Sequence, residues 1–429
     1  MKRSNIVKLI VDEETKKRLL GLLEVYRACW NTVNWLRMQQ FKNHERVGFG
    51  ETEKETYEKF KRILKVNAQQ VTRKNAEAWR SFFALIKEKR QNKNLKPRPP
   101  GYWKQGIILV RNDRYTIDEE KREIYLKDFK MRLKYAGKLK WKGKQGRLEI
   151  HYDEVRGRFY AFIPMSVEDV KPKESGLKAS IDLGIVNLVT MFIENGKWFL
   201  FKGGSILSQY EYYSKKIAIT QKKLALHGQR RSRRLSMLYR KRSLFMRHVV
   251  NSMVRRIMNI LSKEGVIEVR VGYPKEITKN HGNKLTVNFW NYRLIIRRLK
   301  EVGEELGIKV IEVNEAYTSK TCTLCGETHP NGRIHRGLFK CPRMGKVINA
   351  DLNAAVNILR MHISPSPSEA GVGGYSRGGI GVIGLKTQPV VYRWTNGAGW
   401  RSSSTSNEAM RMKAVNHKPM NHPKGNPTL

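Results

Sequence analysis

The sequence predicts a multidomain α+β protein, and three observations carry that prediction. Apolar residues recur at helical spacing as far as about Arg90, give way to short turn-punctuated strands, and from Ser180 alternate between strands and long helices. Three of the four cysteines cluster between Cys322 and Cys341, directly ahead of a good helix-forming run. The chain holds 84 Lys and Arg against 38 Asp and Glu, a formal charge of +46. Self-repulsion on that scale penalises the compact free chain and points to a polyanionic partner.

With 429 residues there is room for two or three domains and an ample core. Nucleic acid is the polyanion that suits the charge. A membrane partner is disfavoured, because no apolar run is long enough to span a bilayer. The opening Met1-Lys-Arg-Ser-Asn5 lacks the apolar core of a signal peptide, and Asp12 and Glu13 soon follow. Four cysteines in so long a chain, three of them clustered, suit metal ligation in a reducing compartment better than disulfides. A cytoplasmic protein is expected, nucleoid-associated when bound to its partner.

Residues 6–11 read as a short strand, after which Leu19, Leu22, Leu23, Tyr26, Trp30 and Val33 mark one face of a helix. Helical spacing resumes from about Thr52 to Arg90 through Val71, Ala78, Phe82, Leu85 and Ile86. Lys96-Pro97-Arg98-Pro99-Pro100-Gly101 then breaks it. Strands are expected at 107–110, 115–117, 123–126, 130–135, 148–152 and 159–165, punctuated by Gly137, Gly143, Gly146 and Gly157. That texture suits a small barrel. The stretch from about Ile363 is rich in Ser, Gly, Pro and Asn and lacks periodicity, so 363–429 is expected to be mostly disordered. Within it, 378–385 and 390–394 are candidate residual strands.

Two acids stand in unusual settings. Asp182 lies in Ser180-Ile-Asp-Leu-Gly-Ile-Val-Asn187, where an acid is costly to bury unless a metal or partner compensates; an acid at a strand end can equally shape a turn. Asp351 follows Asn349-Ala350 at the start of a helix, where it would complement the macrodipole or hold a metal. Asn349, Asn353 and Asn357 read as supporting or capping residues.

Cys322-x-x-Cys325 has the spacing that lets two thiolates meet one tetrahedral zinc ion. The second half, Cys341-Pro-Arg-Met344-Gly345, carries methionine where a fourth thiolate belongs, and a neutral thioether is a weak zinc ligand. His329 or His335 completes the set, or the metal is held weakly or not at all.

Between Tyr212 and Lys263 no acidic residue occurs, while Arg230, Arg231, Arg233, Arg234, Arg240, Lys241, Arg242 and Arg247 do. Leu224, Leu235, Leu238, Phe245, Val249, Met253 and Ile257 supply one apolar edge for docking. A helix of one sign is costly unless phosphates neutralise it, so contact with an RNA or RNA–DNA backbone is expected. A second basic zone, 127–144 with Tyr135 and Trp141, mixes charge with aromatic rings and suits structured or single-stranded RNA.

Taken together, the Asp182 strand, the cysteine pattern and the Asp351 helix resemble the transposon-encoded TnpB proteins, the RNA-guided relatives of type V CRISPR effectors and of the eukaryotic Fanzor proteins. The resemblance runs from the N-terminus to about Arg360. It implies a RuvC-like, RNase H-type nuclease domain at 175–317 and 347–362, interrupted by a zinc ribbon at 318–346. It also implies a wedge-type β-barrel at 1–12 and 103–170, interrupted by a helical recognition insertion at 13–102. Asp182 and Asp351 would hold catalytic Mg²⁺. The family's middle glutamate falls on Gly272 of Val266-Ile-Glu-Val-Arg-Val-Gly272; a relocated acid would be Glu315, with Glu276 and then Glu268 as further choices. The implied activity is cleavage of double-stranded DNA beside a short motif, guided by RNA from the protein's own locus, and a monomer is assumed. Two other readings stay open: a guided DNA binder without cleavage, and a structural RNA-binding protein.

Overall fold

The computed structural model describes residues 1–273, 289–314, 318–335, 337–360 and 388–403. The chain forms two compact units, Met1–Glu168 and Asp169–Leu429.

In the first unit, strand β1 (Lys2–Ile10) leads into helix α1 (Glu13–Lys42). Asp12 starts the helix by accepting the Thr15 amide at 2.7 Å, a bond that also holds its carboxyl below the usual range. Leu19, Leu23, Tyr26, Trp30 and Val33 are buried, as their spacing predicts. The helical stretch beyond divides into α2 (Phe49–Leu64) and α3 (Asn67–Lys89), because Lys65 takes φ +53° and turns the chain. Arg37 of α1 is fully buried among these helices. It donates to Thr52 Oγ1, the Thr72 carbonyl and Asn75 Oδ1, each at 2.9 Å. Burial brings its guanidinium down to about 10.

Strands β2 (Ile108–Val110), β3 (Tyr115–Asp118), β4 (Glu123–Leu126), β5 (Met131–Ala136), β6 (Lys144–Gln145), β7 (Leu148–Asp153) and β8 (Arg158–Ser166) join β1 in one antiparallel sheet. Its order is β2-β7-β8-β1-β5-β4-β3, with β6 also on β8, so the first strand of the chain is central. Backbone pairing leaves β2 and β3 at the two ends of this path. Side chains bridge from the β6 segment instead: Gln145 Nε2 donates to the Asn112 and Tyr115 carbonyls at 2.6 and 3.1 Å, and Tyr115 Oη to the Gly146 carbonyl at 2.9 Å.

The second unit is built on a seven-stranded sheet. A meander of β9 (Leu177–Asp182), β10 (Asn187–Ile193) and β11 (Trp198–Lys202) is antiparallel; β12 (Val266–Tyr273) and β13 (Lys309–Asn314) extend it in parallel beyond β9. Alternation sends Ile181, Val189, Met191 and Val269 into a core with α5 (Arg233–Lys263) and α6 (Tyr292–Leu306). It sends Phe192, Trp198 and Leu200 to the opposite face, against Leu352, Val356 and Leu359 of α7 (Ala350–Arg360). Both faces are thus covered, which explains why β10 is buried along its whole length. Helix α4 (Gly204–Leu226) precedes α5. A separate small sheet comprises β14 (Arg333–His335), β15 (Leu338–Lys340) and β16 (Val347–Asn349).

Within the tail, residues 388–403 are described, and the candidate strand at 390–394 is part of a hairpin. There β17 (Val390–Thr395) and β18 (Gly399–Ser403) form a hairpin, and β17 adds to β11 in parallel. Aromatic residues hold it: Tyr392 stacks on Phe201 at 4.8 Å, and Trp394 and Trp400 join the core shared with α5. Residues 378–385 and the rest of the expected tail lie outside the described residues.

Replacing Arg37 by Met strips donors from Thr52, Thr72 and Asn75, and the first unit should lose about 2–4 kcal/mol of unfolding free energy. Denaturant unfolding of the full chain reads this. An unchanged midpoint would mean that the helices reorganise around the lost guanidinium.

Candidate active site and metal centre

Strand parity and one helix place the two unusual acids on the same side of the sheet. Ser180 Oγ donates to the Ala355 carbonyl of α7 at 2.6 Å, so Ser180 lies on the α7-covered face. Asp182, two residues on and last in β9, therefore shares that face. Asp351 stands in the first turn of α7. Asn349 Oδ1 accepts the amides of Asp351 and Leu352 at 3.0 Å each, capping the helix and setting the carboxylate at its positive end. Asn187, which opens β10 on the other side of the turn after Asp182, donates through Nδ2 to Asp351 Oδ2 at 2.6 Å. Its own Oδ1 is buried, with no hydrogen-bond partner among the described residues. Arg333 of β14 donates through Nη2 to Asp351 Oδ1 at 3.0 Å. Lys202, opposite Asn187 in register, is held below the usual lysine range by burial and by Arg393, while Asp351 acts in the other direction.

The middle position is a glycine in space as well as in sequence. β12 runs parallel to β9 with Val271 opposite Ile181, so Gly272 stands level with Asp182. Arg270 donates to the Leu359 carbonyl of α7 at 2.6 Å, which puts Arg270, and Gly272 two residues on, on the α7 face. Glu268 shares the face but lies opposite Lys178, about 13 Å along the strand from Asp182. It accepts from Arg270 Nε at 3.0 Å, so the structure gives it an ion-pair role instead. Glu315 and Glu276 lie outside the described residues. β13 ends at Asn314, level with Tyr273, and Glu315 is the next residue of the chain.

Of the two candidate histidines, His329 stands with the three cysteines. Cys322, Cys325, Cys341 and His329 bring their ligand atoms within 4.8 Å of one another. His329 Nε2 is 3.1 Å from Cys325 Sγ and 3.9 Å from Cys341 Sγ. His335 is on exposed β14 and is not in the group. Met344 is exposed too, yet its turn keeps the knuckle shape, with Gly345 at φ +63° and the Cys341 amide donating to the Lys346 carbonyl at 2.8 Å. A three-cysteine, one-histidine set of this size could hold a zinc ion. Without metal, burial pushes the Cys322 thiol up. At Cys341 burial acts the same way, but the Met344 amide, the Cys322 and Cys325 thiols and the Arg343 amide bring that thiol down.

The basic run divides into α4, a loop and α5, which Ser232 caps by accepting the Leu235 amide at 3.1 Å. Arg230, Arg231, Arg233, Arg234, Lys241 and Arg247 are exposed; Arg240 and Arg242 are half-buried. Arg242 donates to Ser214 Oγ at 3.0 Å and lies over the rings of Tyr210 and Tyr239, so it ties α5 to α4. Arg333 and Lys202 were not singled out in the sequence. In a chain with 84 basic residues only the register next to Asn187 could have pointed to Lys202.

The fold carries a small inserted sheet whose three cysteines and one histidine could hold a metal ion, and comparison with known proteins gives the chain a family. Residues 162–278 match the family model described as Probable transposase (OrfB_IS605), and residues 292–358 match the Cas12f1-like TNB domain. The TnpB-like protein ORF457 of Acidianus two-tailed virus is 34% identical over 401 residues, covering 84% of this chain and 86% of the relative. The CRISPR-associated endodeoxyribonuclease Cas12f1 of Sulfoacidibacillus thermotolerans is 28% identical over 232 residues, 52% of this chain and 54% of that one. A solved Cas12f1–sgRNA–target DNA complex aligns with TM-score 0.54 at 13% identity, covering 81% of this chain and 83% of the other, a likeness of fold. The chain belongs to the TnpB-like family. Among the described residues no helix is long and apolar enough to cross a membrane.

His329→Ala should lower zinc retention by about tenfold or more, whereas His335→Ala should leave it unchanged; metal analysis of the purified variants distinguishes them. Met344→Cys should not raise the stoichiometry if His329 serves as the fourth donor, as its place among the three cysteines suggests. A rise would mean that His329 is not a ligand.

Proposed function

We propose that the chain is an RNA-guided DNA endonuclease associated with a transposable element, hydrolysing target phosphodiesters with Mg²⁺ beside a short adjacent motif. The observation that carries this reading is that Asp182 ends β9 on the α7-covered sheet face while α7 holds Asp351 against Asn187, whose Oδ1 has no partner among the described residues. Those oxygens suit a hard divalent cation. Such ions, when bound, supply activation of water and neutralisation of the leaving oxygen. Asp182, Asp351 and Glu315 would hold them, Asn187 would orient Asp351, and Lys202 would add positive charge beside the scissile phosphate. A meander extended by two parallel strands supports an RNase H-like, RuvC-type domain with the cysteine ribbon inserted before α7. The side-chain bridges between β6 and β3 support a wedge-type barrel in the first unit, interrupted by α1–α3 as a recognition insertion. RNA from its own locus and double-stranded target DNA are the partners, and the exposed arginines at the start of α5 would follow a phosphate backbone.

A second reading, guided binding without cleavage, is favoured by Gly272 standing level with Asp182 and by Arg333 engaging Asp351. Incubation of the purified protein with RNA from its own locus, a matched plasmid and Mg²⁺ separates the two. Target-dependent linearisation supports the nuclease; guide-dependent binding with no cutting supports the binder.

If the nuclease reading holds, Asp182→Ala, Asp351→Ala and Glu315→Ala should each abolish cutting and spare guided binding. Retained cutting by Glu315→Ala would overturn the relocated acid. Charge reversal at Arg230, Arg231, Arg233 and Arg234 should weaken RNA binding and flatten its salt slope, by up to about one log–log unit per lost phosphate contact. An unchanged slope would show that the guide lies elsewhere.

A further inference from the structure

We infer that Asn353 and Asn357 are positioning residues through which occupancy of the cysteine–histidine site sets the placement of the Asp351 carboxylate. This rests on the reading of Asp351 as a ligand of the catalytic metal. Asn353, two residues after Asp351 and fully buried, brackets Cys322. Its Oδ1 accepts the Thr323 amide at 2.9 Å, and its Nδ2 donates to the Thr321 carbonyl at 2.7 Å. Both peptide groups flanking the thiolate are thereby held by one side chain of α7. One turn on, Asn357, also fully buried, donates through Nδ2 to the Thr318 and Thr321 carbonyls at 2.9 and 2.6 Å. Arg360 completes the row by donating to the Thr323 carbonyl at 3.1 Å.

These residues recur at helical spacing, so one face of α7 is the seat of the first knuckle. The ribbon also reaches back to the start of the same helix. The Ala350 amide donates to the Gly337 carbonyl at 3.1 Å, β16 runs directly into α7, and Arg333 binds Asp351. Asp351 is therefore fixed from both ends of an insertion whose own shape depends on its four metal donors. If the knuckle loosens, the peptides around Cys322 leave Asn353, and buried amide groups lose partners on the first turn of α7. The carboxylate then loses its fixed position against Asn187 and Arg333.

The test uses the full chain and does not depend on cutting. Mn²⁺ stands in for Mg²⁺, with its binding read by electron paramagnetic resonance, and zinc affinity is measured by competition with a chromogenic chelator. Asp351→Ala should weaken Mn²⁺ binding in the wild-type background. Stripping zinc should weaken it about fivefold or more, and restoring zinc should bring it back. Asn353→Asp keeps the acceptor facing Thr323 but loses the donor to Thr321. It should lower zinc affinity about tenfold and weaken Mn²⁺ binding even when zinc is saturating. Far-ultraviolet circular dichroism confirms that this near-isosteric variant folds. Mn²⁺ binding that ignores Asp351→Ala overturns the metal reading and this inference with it. Binding that responds to Asp351→Ala but ignores both zinc and Asn353→Asp overturns the coupling alone.

Discussion

The seating of α7 on the sheet is the contact on which the second unit depends. It is made by Ser180 Oγ on the Ala355 carbonyl and by Phe192, Trp198 and Leu200 against Leu352, Val356 and Leu359. One short helix thereby covers a sheet face, presents Asp351 beside the end of β9, and offers its buried asparagines to the cysteine knuckle. An apolar contact of this kind has no chemistry of its own. It sets two acids 169 positions apart in the chain, Asp182 and Asp351, on the same side of one sheet.

Much of this arrangement was legible in the chain because the informative residues contradict their surroundings. Asp182 in an apolar strand and the Cys322/Cys325 pair are conspicuous, and the periodicity of α1 is strong enough to define its buried face. Other features were hidden for physical reasons. His329 and His335 are both at plausible distances from Cys325 in sequence, and only the path of the chain between Cys325 and β14 separates them. Residues 390–394 read as a candidate strand, but the pairing with β18 and the docking of its aromatic residues depend on Phe201 and α5, which no local pattern records. Arg333 reaches Asp351 across an insertion, which no local pattern records.

The excess of positive charge is used in two physically different ways. Arg37 and Arg242 are drawn into the protein, where carbonyls, amide and hydroxyl oxygens and aromatic rings take the place of water. Arg230, Arg231, Arg233 and Arg234, before and at the start of α5, are exposed to solvent. The first group is part of the fold at any ionic strength, whereas the second acts over a Debye length and weakens as salt rises.

The hairpin at 390–403 also bears on how far such a protein could be shortened. β11 would end the sheet without β17, presenting a row of unpaired backbone groups flanked by Phe199 and Phe201, and open edges of that kind invite pairing with other chains. The hairpin moves the edge outward to β18, where Arg393 and Arg401 face each other across the pair and like charge discourages a further strand. A compact version trimmed just past the ribbon helix would keep both candidate metal sites and still be prone to aggregate. The segment that reads as dispensable is the one that keeps the sheet solitary.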